Sequence, residues 1–378
     1  MHSARLAKTL RERHPDWTLY AVGGDYLAAE VVKSAGGRLI GDTNDMSGIG
    51  ITNSVMRFPR AVKLSLALKK LIRTEKINAV VLCDWGAFNC GHLGFFKKQG
   101  VPVLYYFPPG SWKRTGSGGL GIASQVDRVA TPFEWSAQRL VAAGAKAEWV
   151  GHPMLEAKHD EAERLALREE FGVTPGEKLI ALLPGSRMHE INCLAPRLAA
   201  TAEALRKRGG MHFIVAASQR RAEIVRKRFP EWVKVVSERT ADVLFASDAA
   251  VVKSGSATLE AAVIGVPQVI VYDMPWVGRI EWLVLYMWKK KFRFVGIPNV
   301  ILQRLAVKEL LGPACKVEAI VETVTELLDN EATRARMKTD YEEIRQQLGA
   351  RLPKQATLRT AEMVEELIAE KRASAISA

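Results

Sequence analysis

Short apolar runs and longer helical stretches follow each other along most of this chain, and that alternation sets its fold class. In the first half "WTLYAVGG", "AVVLCDW", "VPVLYYFPP", "RVATPF" and "AEWVGHP" read as strands. Between them, residues 59 to 74 read as a helix whose apolar positions are Val62, Leu64, Leu66, Leu68, Leu71 and Ile72. The second half repeats the scheme with "LIALLPG", "MHFIVAA", "VKVVSE", "DAAVVKSGS" and "VPQVIVYD". Strand and helix in turn argue for right-handed βαβ units around parallel sheets.

A charged helical connector, residues 154 to 171, separates the halves. The pattern predicts an α/β protein of two doubly wound domains, residues 1–153 and 154–345, facing each other across a cleft. Residues 346–378 are expected to form a C-terminal helix and tail that packs back towards the first domain.

Composition narrows the class without naming a function. Hydrophobic residues at 48% and charged residues at 25% suit an ordinary soluble globular protein of 378 residues. A net charge of +13 calls for an acidic partner: nucleic acid, an anionic membrane face or a phosphorylated substrate. No nucleic-acid-binding motif accompanies the charge, so a nucleic-acid partner is not expected. The four cysteines, Cys83, Cys90, Cys193 and Cys315, have no CxxC spacing and point to a reducing compartment. "MHSARLAKTLRERHPDW" is a basic amphipathic helix rather than a signal peptide, and no stretch reaches the roughly 18 to 20 uninterrupted apolar residues of a spanning helix.

In open α/β sheets, ligands collect where strand ends lead into helix N-termini, whose free N–H groups suit anions. "LIALLPGSRMHEI" is one such junction, with Gly185, Ser186 and Arg187 at the turn; Arg187 either clasps a phosphate or points into solvent. "KSGSATLEAAVIGVP" is a second. There Ser254, Gly255, Ser256, Ala257 and Thr258 offer small side chains and backbone amides for a diphosphate, with Glu260 one turn on, placed for a ribose diol. Alternatively, Ser254 or Ser256 simply caps the helix and Glu260 complements its dipole. Asp84 ends a run so apolar that a central strand is expected, making it either a base with a raised pKa or a helix cap. His152 in "GHP" is either a ligand contact or a hinge histidine satisfied by backbone.

"MPWVGRIEWLVLYMWKKKFRF" sets Trp276, Trp282 and Trp288 beside Lys289, Lys290, Lys291 and Arg293. Aromatic and aliphatic surface with a basic rim describes an interfacial helix on an anionic membrane, the alternative being a core helix with a solvated charge run.

With these segments placed, the chain resembles the lipid-A-disaccharide synthase family of inverting glycosyltransferases. "VVLCDWGAFN", "FFKKQGVPVLYY", "VGHPMLE", "LLPGSRMHEI", "ASDAAVVKSGSATLEAAVIGVPQVIVYDM" and "IPNVILQRLAVKELL" stand in the family's order and spacing. The resemblance implies the GT-B fold and transfer of an acylated glucosamine from its UDP derivative to diacylglucosamine 1-phosphate, with loss of UDP. It implies no metal and no cofactor, and a site at the cytoplasmic face of the inner membrane. By matched position Asp84 would take the proton from the acceptor's 6-hydroxyl. Arg187 would bind the donor phosphates, and Ser254 to Glu260 would hold UDP. Asn89, Trp112, His152 and Asn299 would line the cleft on the acceptor side.

The chain also departs from the family pattern. Family members begin with a strand and a GEASGD-like loop ahead of the helix that here starts at about His2, so the N-terminal sheet is expected to lack its first strand. The tryptophan-rich loop is reduced to "PPGSWKRTGSGG". Ala87 stands where a second aspartate is frequent, and Asp273 where a basic residue is usual. Other readings of a GT-B chain are a UDP-N-acetylglucosamine 2-epimerase, a transferase to polyprenyl-linked acceptors, or an inactive scaffold.

Overall fold

The computed structural model describes residues 2–43, 51–114, 119–157, 160–273 and 293–376, and the side chains of all but 51–58 and 375–376 among them. The chain forms two compact units, Met1–Glu156 with Leu348–Ala378, and Ala157–Gln347.

The first unit holds β1 (Tyr20–Gly23), β2 (Arg38–Asp42), β3 (Val80–Cys83), β4 (Val103–Tyr106), β5 (Arg128–Thr131) and β6 (Ala147–Trp149), all paired in parallel. They lie in two separate ladders, β1-β2 and β3-β4-β5-β6. Among the described residues, side chains connect the two. The helix His2–Arg13 sends Leu6 and Leu10 into the core with Leu104 and Tyr106 of the larger ladder, and Ala7 into the core with Ala21 of the smaller. The helix Ile51–Thr74 sets Leu64 against Gly41 of β2, and Leu68 and Ile72 against β3 and β4. The C-terminal helix Ala356–Ile376 packs Val364, Leu367 and Ile368 onto β4 and β5.

One reading of this unit needs correction. β3 was expected to be central, but it is the edge of the larger ladder, with one of its four residues buried. The helix expected over residues 59 to 74 spans Ile51–Thr74, and Leu64, Leu68 and Ile72 recur every four residues while Val62 and Leu66 fall half a turn away. Val62 and Leu66 are exposed.

The second unit carries one six-stranded parallel sheet of β7 (Lys178–Leu183), β8 (Met211–Ala217), β9 (Lys234–Ser237), β10 (Ala249–Lys253), β11 (Gln268–Tyr272) and β12 (Glu309–Leu311). The spatial order is β12-β11-β10-β7-β8-β9. β7, β10 and β11 are apolar on both faces because helices cover both, as parallel sheets require. The chain runs outward from β7 to β9, then crosses back to β10 and runs outward the other way. The order therefore reverses between β7 and β10, and that crevice is where ligands of doubly wound sheets bind.

Candidate functional site

β7 and β10 are hydrogen-bonded neighbours, with Leu183 opposite Val252. Both candidate anion-binding junctions consequently emerge side by side at the reversal point of the sheet. After β7, Gly185 turns with φ 101°, and the helix Met188–Arg206 starts with Arg187 as its N-cap residue. After β10, Gly255 adopts φ 159° and ψ −163°, a region open to glycine alone, and the helix Ser256–Ile264 begins. Thr258 donates its hydroxyl to the Gly255 carbonyl at 2.7 Å, which fixes the turn.

Two residues that sequence reasoning missed join these turns. Glu190 accepts the backbone N–H groups of Ser186 and Arg187 at 3.1 and 3.2 Å and the Arg187 guanidinium at 3.4 Å. Its remaining partner is Lys253, the last residue of β10, whose Nζ lies 2.6 Å from Oε1. The Glu190 side chain is 3% exposed, and that of Lys253 is 14% exposed. Burial would raise the Glu190 pKa, but the Lys253 ammonium and the backbone N–H of Arg187 outweigh it and hold the carboxyl below its ordinary value. Burial, aided by the charges of Arg187 and Lys253, holds His189 below its ordinary value, against the pull of Glu190. A signal for Glu190 stood in the sequence: it occupies the third helical position, from which a carboxylate reaches back to the N-cap amide.

Glu190 takes the two amides just ahead of the helix Met188–Arg206, and the Arg187 side chain remains 36% exposed. Ser186 and Ser256 are exposed, and Gly185, Ala257 and Glu260 are half-buried beside them. Ser254 is buried and spends its hydroxyl on the Val295 carbonyl at 3.0 Å, so it anchors the neighbouring loop. Asn299 continues that anchor. Its Nδ2 donates to the Val307 carbonyl and to Glu309, both at 2.7 Å, and its Oδ1 accepts the N–H groups of Ala306 and Val307. Glu309 in turn accepts the N–H groups of Val295 and Gly296. Asn299 is fully buried, and its amide is consumed by this network. Asp273, at the place where the family has a basic residue, is buried and pairs with Arg197 at 2.5 Å.

In the first unit, Asp84 and Trp85 follow β3 with φ of 50° and 38°, and Phe107 follows β4 with φ 54°. Three non-glycine residues in the left-handed region at adjacent strand ends represent stored strain of the kind that clusters at functional sites. The Asp84 backbone is locked in it. Its N–H donates to the Tyr106 carbonyl, and its own carbonyl accepts Asn89 Nδ2 and the Tyr105 hydroxyl, each at 2.8 Å. Asn89 is therefore a support for the Asp84 turn, and the Asp84 side chain itself is exposed to solvent.

His152 is buried against the rings of His2, Phe107 and Phe133, and its Nδ1 accepts the Met154 N–H at 3.2 Å. Burial, with the positive surroundings of His2 and Arg5, holds its pKa well below the usual value. Trp112 is exposed, with the Lys113 ammonium over its ring. Trp276, Trp282, Trp288, Lys289, Lys290 and Lys291 lie outside the described residues. Arg293 is exposed, with its guanidinium over Phe294.

The family model for lipid-A-disaccharide synthetase matches residues 1–363. A lipid-A-disaccharide synthase of Myxococcus xanthus is 35% identical, covering 97% of this chain and 94% of the relative. Among solved structures, the glycotransferase of kitacinnamycin superposes with a TM-score of 0.60 at 13% identity over 97% of this chain and 95% of its own. The S. aureus MnaA–UDP co-structure gives 0.58 at 11% identity over 91% of each. These two likenesses speak for the α/β fold of paired Rossmann-like units expected from the sequence. The match over nearly all of the chain, together with the strand-end geometry it falls on, makes this protein a member of the lipid-A-disaccharide synthetase family.

Proposed function

We propose that this chain is the hexosyltransferase its family describes, moving an acylated glucosamine from its UDP derivative to diacylglucosamine 1-phosphate at the cytoplasmic face of the inner membrane. One observation carries the donor half: the two anion-suited turns, after β7 and β10, emerge together where the strand order reverses. The helix start at Ser256, the Gly255 turn and the Arg187 guanidinium receive the diphosphate, and Glu260 reaches the ribose. They stabilise the charge that builds on the leaving UDP oxygen as its bond to the anomeric carbon breaks.

Asp84 supplies the other half. Its exposed carboxylate takes the proton from the acceptor 6-hydroxyl while that oxygen bonds to the anomeric carbon, inverting the configuration there. The locked turn fixes the backbone from which the carboxylate projects, and Trp112 offers an aromatic surface to the acceptor. His152 and Asn299 keep the surrounding loops in shape from within the protein. Among the described residues no helix is long and apolar enough to cross a membrane. Membrane contact then falls to the segment with Trp276, Trp282 and Trp288 and its basic end from Lys289 to Arg293.

The test is mass spectrometry of products from acylated UDP-glucosamine and diacylglucosamine 1-phosphate. A disaccharide 1-phosphate with stoichiometric UDP is the expected outcome. UDP-N-acetylglucosamine epimerised without any acceptor, or no turnover by folded protein, overturns the assignment.

A further inference from the structure

We propose that Lys253 is a second cation for the donor diphosphate, held ready by Glu190 at the junction of the two turns. The inference rests on the donor reading above and adds a residue to it.

The argument begins with the local charge. Glu190 already receives two backbone N–H groups at the positive end of a helix, which satisfy a carboxylate without help from a buried ammonium. Lys253 and Arg187 nonetheless converge on it, so two cations face one anion beside two helix N-termini. Lys253 balances Glu190 within the protein and Arg187 is 36% exposed, so the junction carries a net positive charge that an anion would offset.

Geometry gives that anion a place. The ammonium has three N–H donors, of which Glu190 takes one at 2.6 Å. On another side lies the Tyr272 ring, with its centroid 5.6 Å from Nζ. A third side faces Gly255: a Cβ built there would come within 3.6 Å of Nζ and, its chain neighbours aside, meet no other atom of the described residues within 4 Å. Among the described residues the space beside the glycine turn is open, and the ammonium borders it. A phosphate entering that space would meet the Lys253 ammonium and the start of the Ser256–Ile264 helix together. Lys253 would then share its protons between Glu190 and the ligand, drawing the two turns onto one diphosphate.

Titration calorimetry of the full chain with UDP, and ligand-observed NMR with uridine, test this. Lys253→Met is expected to weaken UDP by about 10- to 100-fold, the value of a charge-assisted hydrogen bond. Uridine affinity is expected to stay within about twofold, since it carries no phosphate for the lysine to meet. Lys253→Arg is expected to recover most of the UDP affinity. Should Lys253→Met leave too little folded protein, combining it with Glu190→Gln removes the buried charge pair together, and the same loss of UDP affinity is expected. UDP binding equal to wild type in the variant, or equal proportional losses of UDP and uridine, overturns the proposal. A wild-type chain that binds no UDP overturns the donor reading first, and this inference with it.

Discussion

The Glu190 carboxylate meets the Lys253 ammonium at 2.6 Å and also holds the backbone amides of Ser186 and Arg187, so one acidic side chain ties the end of β10 to the helix after β7. Glu190→Gln strands a mostly buried ammonium and is expected to cost about 3 kcal/mol of unfolding free energy. Denaturant midpoints measure it. Adding Lys253→Met to that variant is expected to recover part of the loss, because the partners are coupled. A loss under about 0.5 kcal/mol, typical of surface changes, would show that the pair holds nothing together.

Asp84→Asn separates chemistry from folding. Asparagine tolerates the left-handed backbone at φ 50° as aspartate does, whereas alanine would strain it. Turnover is expected to fall roughly 100- to 10,000-fold, the contribution of a general base. The melting temperature is expected to stay put, since the side chain faces solvent. Normal turnover in the Asp84→Asn variant would assign the base to another residue.

Asn299→Ala tests a scaffold role. It removes the acceptor of the buried Val307 N–H and the donor shared by the Val307 carbonyl and the Glu309 carboxylate, and is expected to cost about 2 to 4 kcal/mol. At temperatures where the variant stays folded, its KM for the acceptor is expected to match wild type. A large change in acceptor KM with unaltered stability would place Asn299 against the substrate instead.

Acid sensitivity follows from His152 and His2. Burial holds both imidazoles below the ordinary 6.5, His2 at about 4 and His152 well below 6.5, so the fold keeps them neutral. The unfolded chain takes up their protons once the pH falls under 6.5, and the fold does not. Their contribution is therefore complete above 6.5 and is lost as the pH drops from 6.5 towards 4, with a slope of up to about 1.4 kcal/mol per pH unit for each group. His152→Gln is expected to flatten that decline in a series of thermal melts. An unchanged slope would assign the acid response to other groups.

How far the sequence carried the structure depended on what each residue's neighbours were. The ten strands expected from apolar runs all formed, and the runs were most continuous where strands such as β4, β7 and β10 are buried on both faces. β2 and β12 gave no such run: "RLIGD" begins and ends exposed, and "ELL" is three residues long. The PGSR and serine-rich turns were readable because glycine and small residues leave few alternatives. That they meet each other was not readable, since adjacency of β7 and β10 is a matter of strand order. Lys253 closed an apolar strand like any terminal lysine, and only the pairing of those strands puts it beside Glu190. Asp84 was expected to end a central strand and instead follows an edge one, because apolar composition alone does not separate the two.

The division of the first unit into β1-β2 and β3 to β6 bears on how it comes apart. A pair of strands is marginal without further support, and this pair leans on Ala7, Leu64 and their neighbours. Its amides should exchange with solvent through small openings that leave β4 and β5 protected, well before the whole molecule unfolds. Melting of this protein then starts as a fraying of residues 20–42, so probes placed there and in β7 report different transitions for one chain.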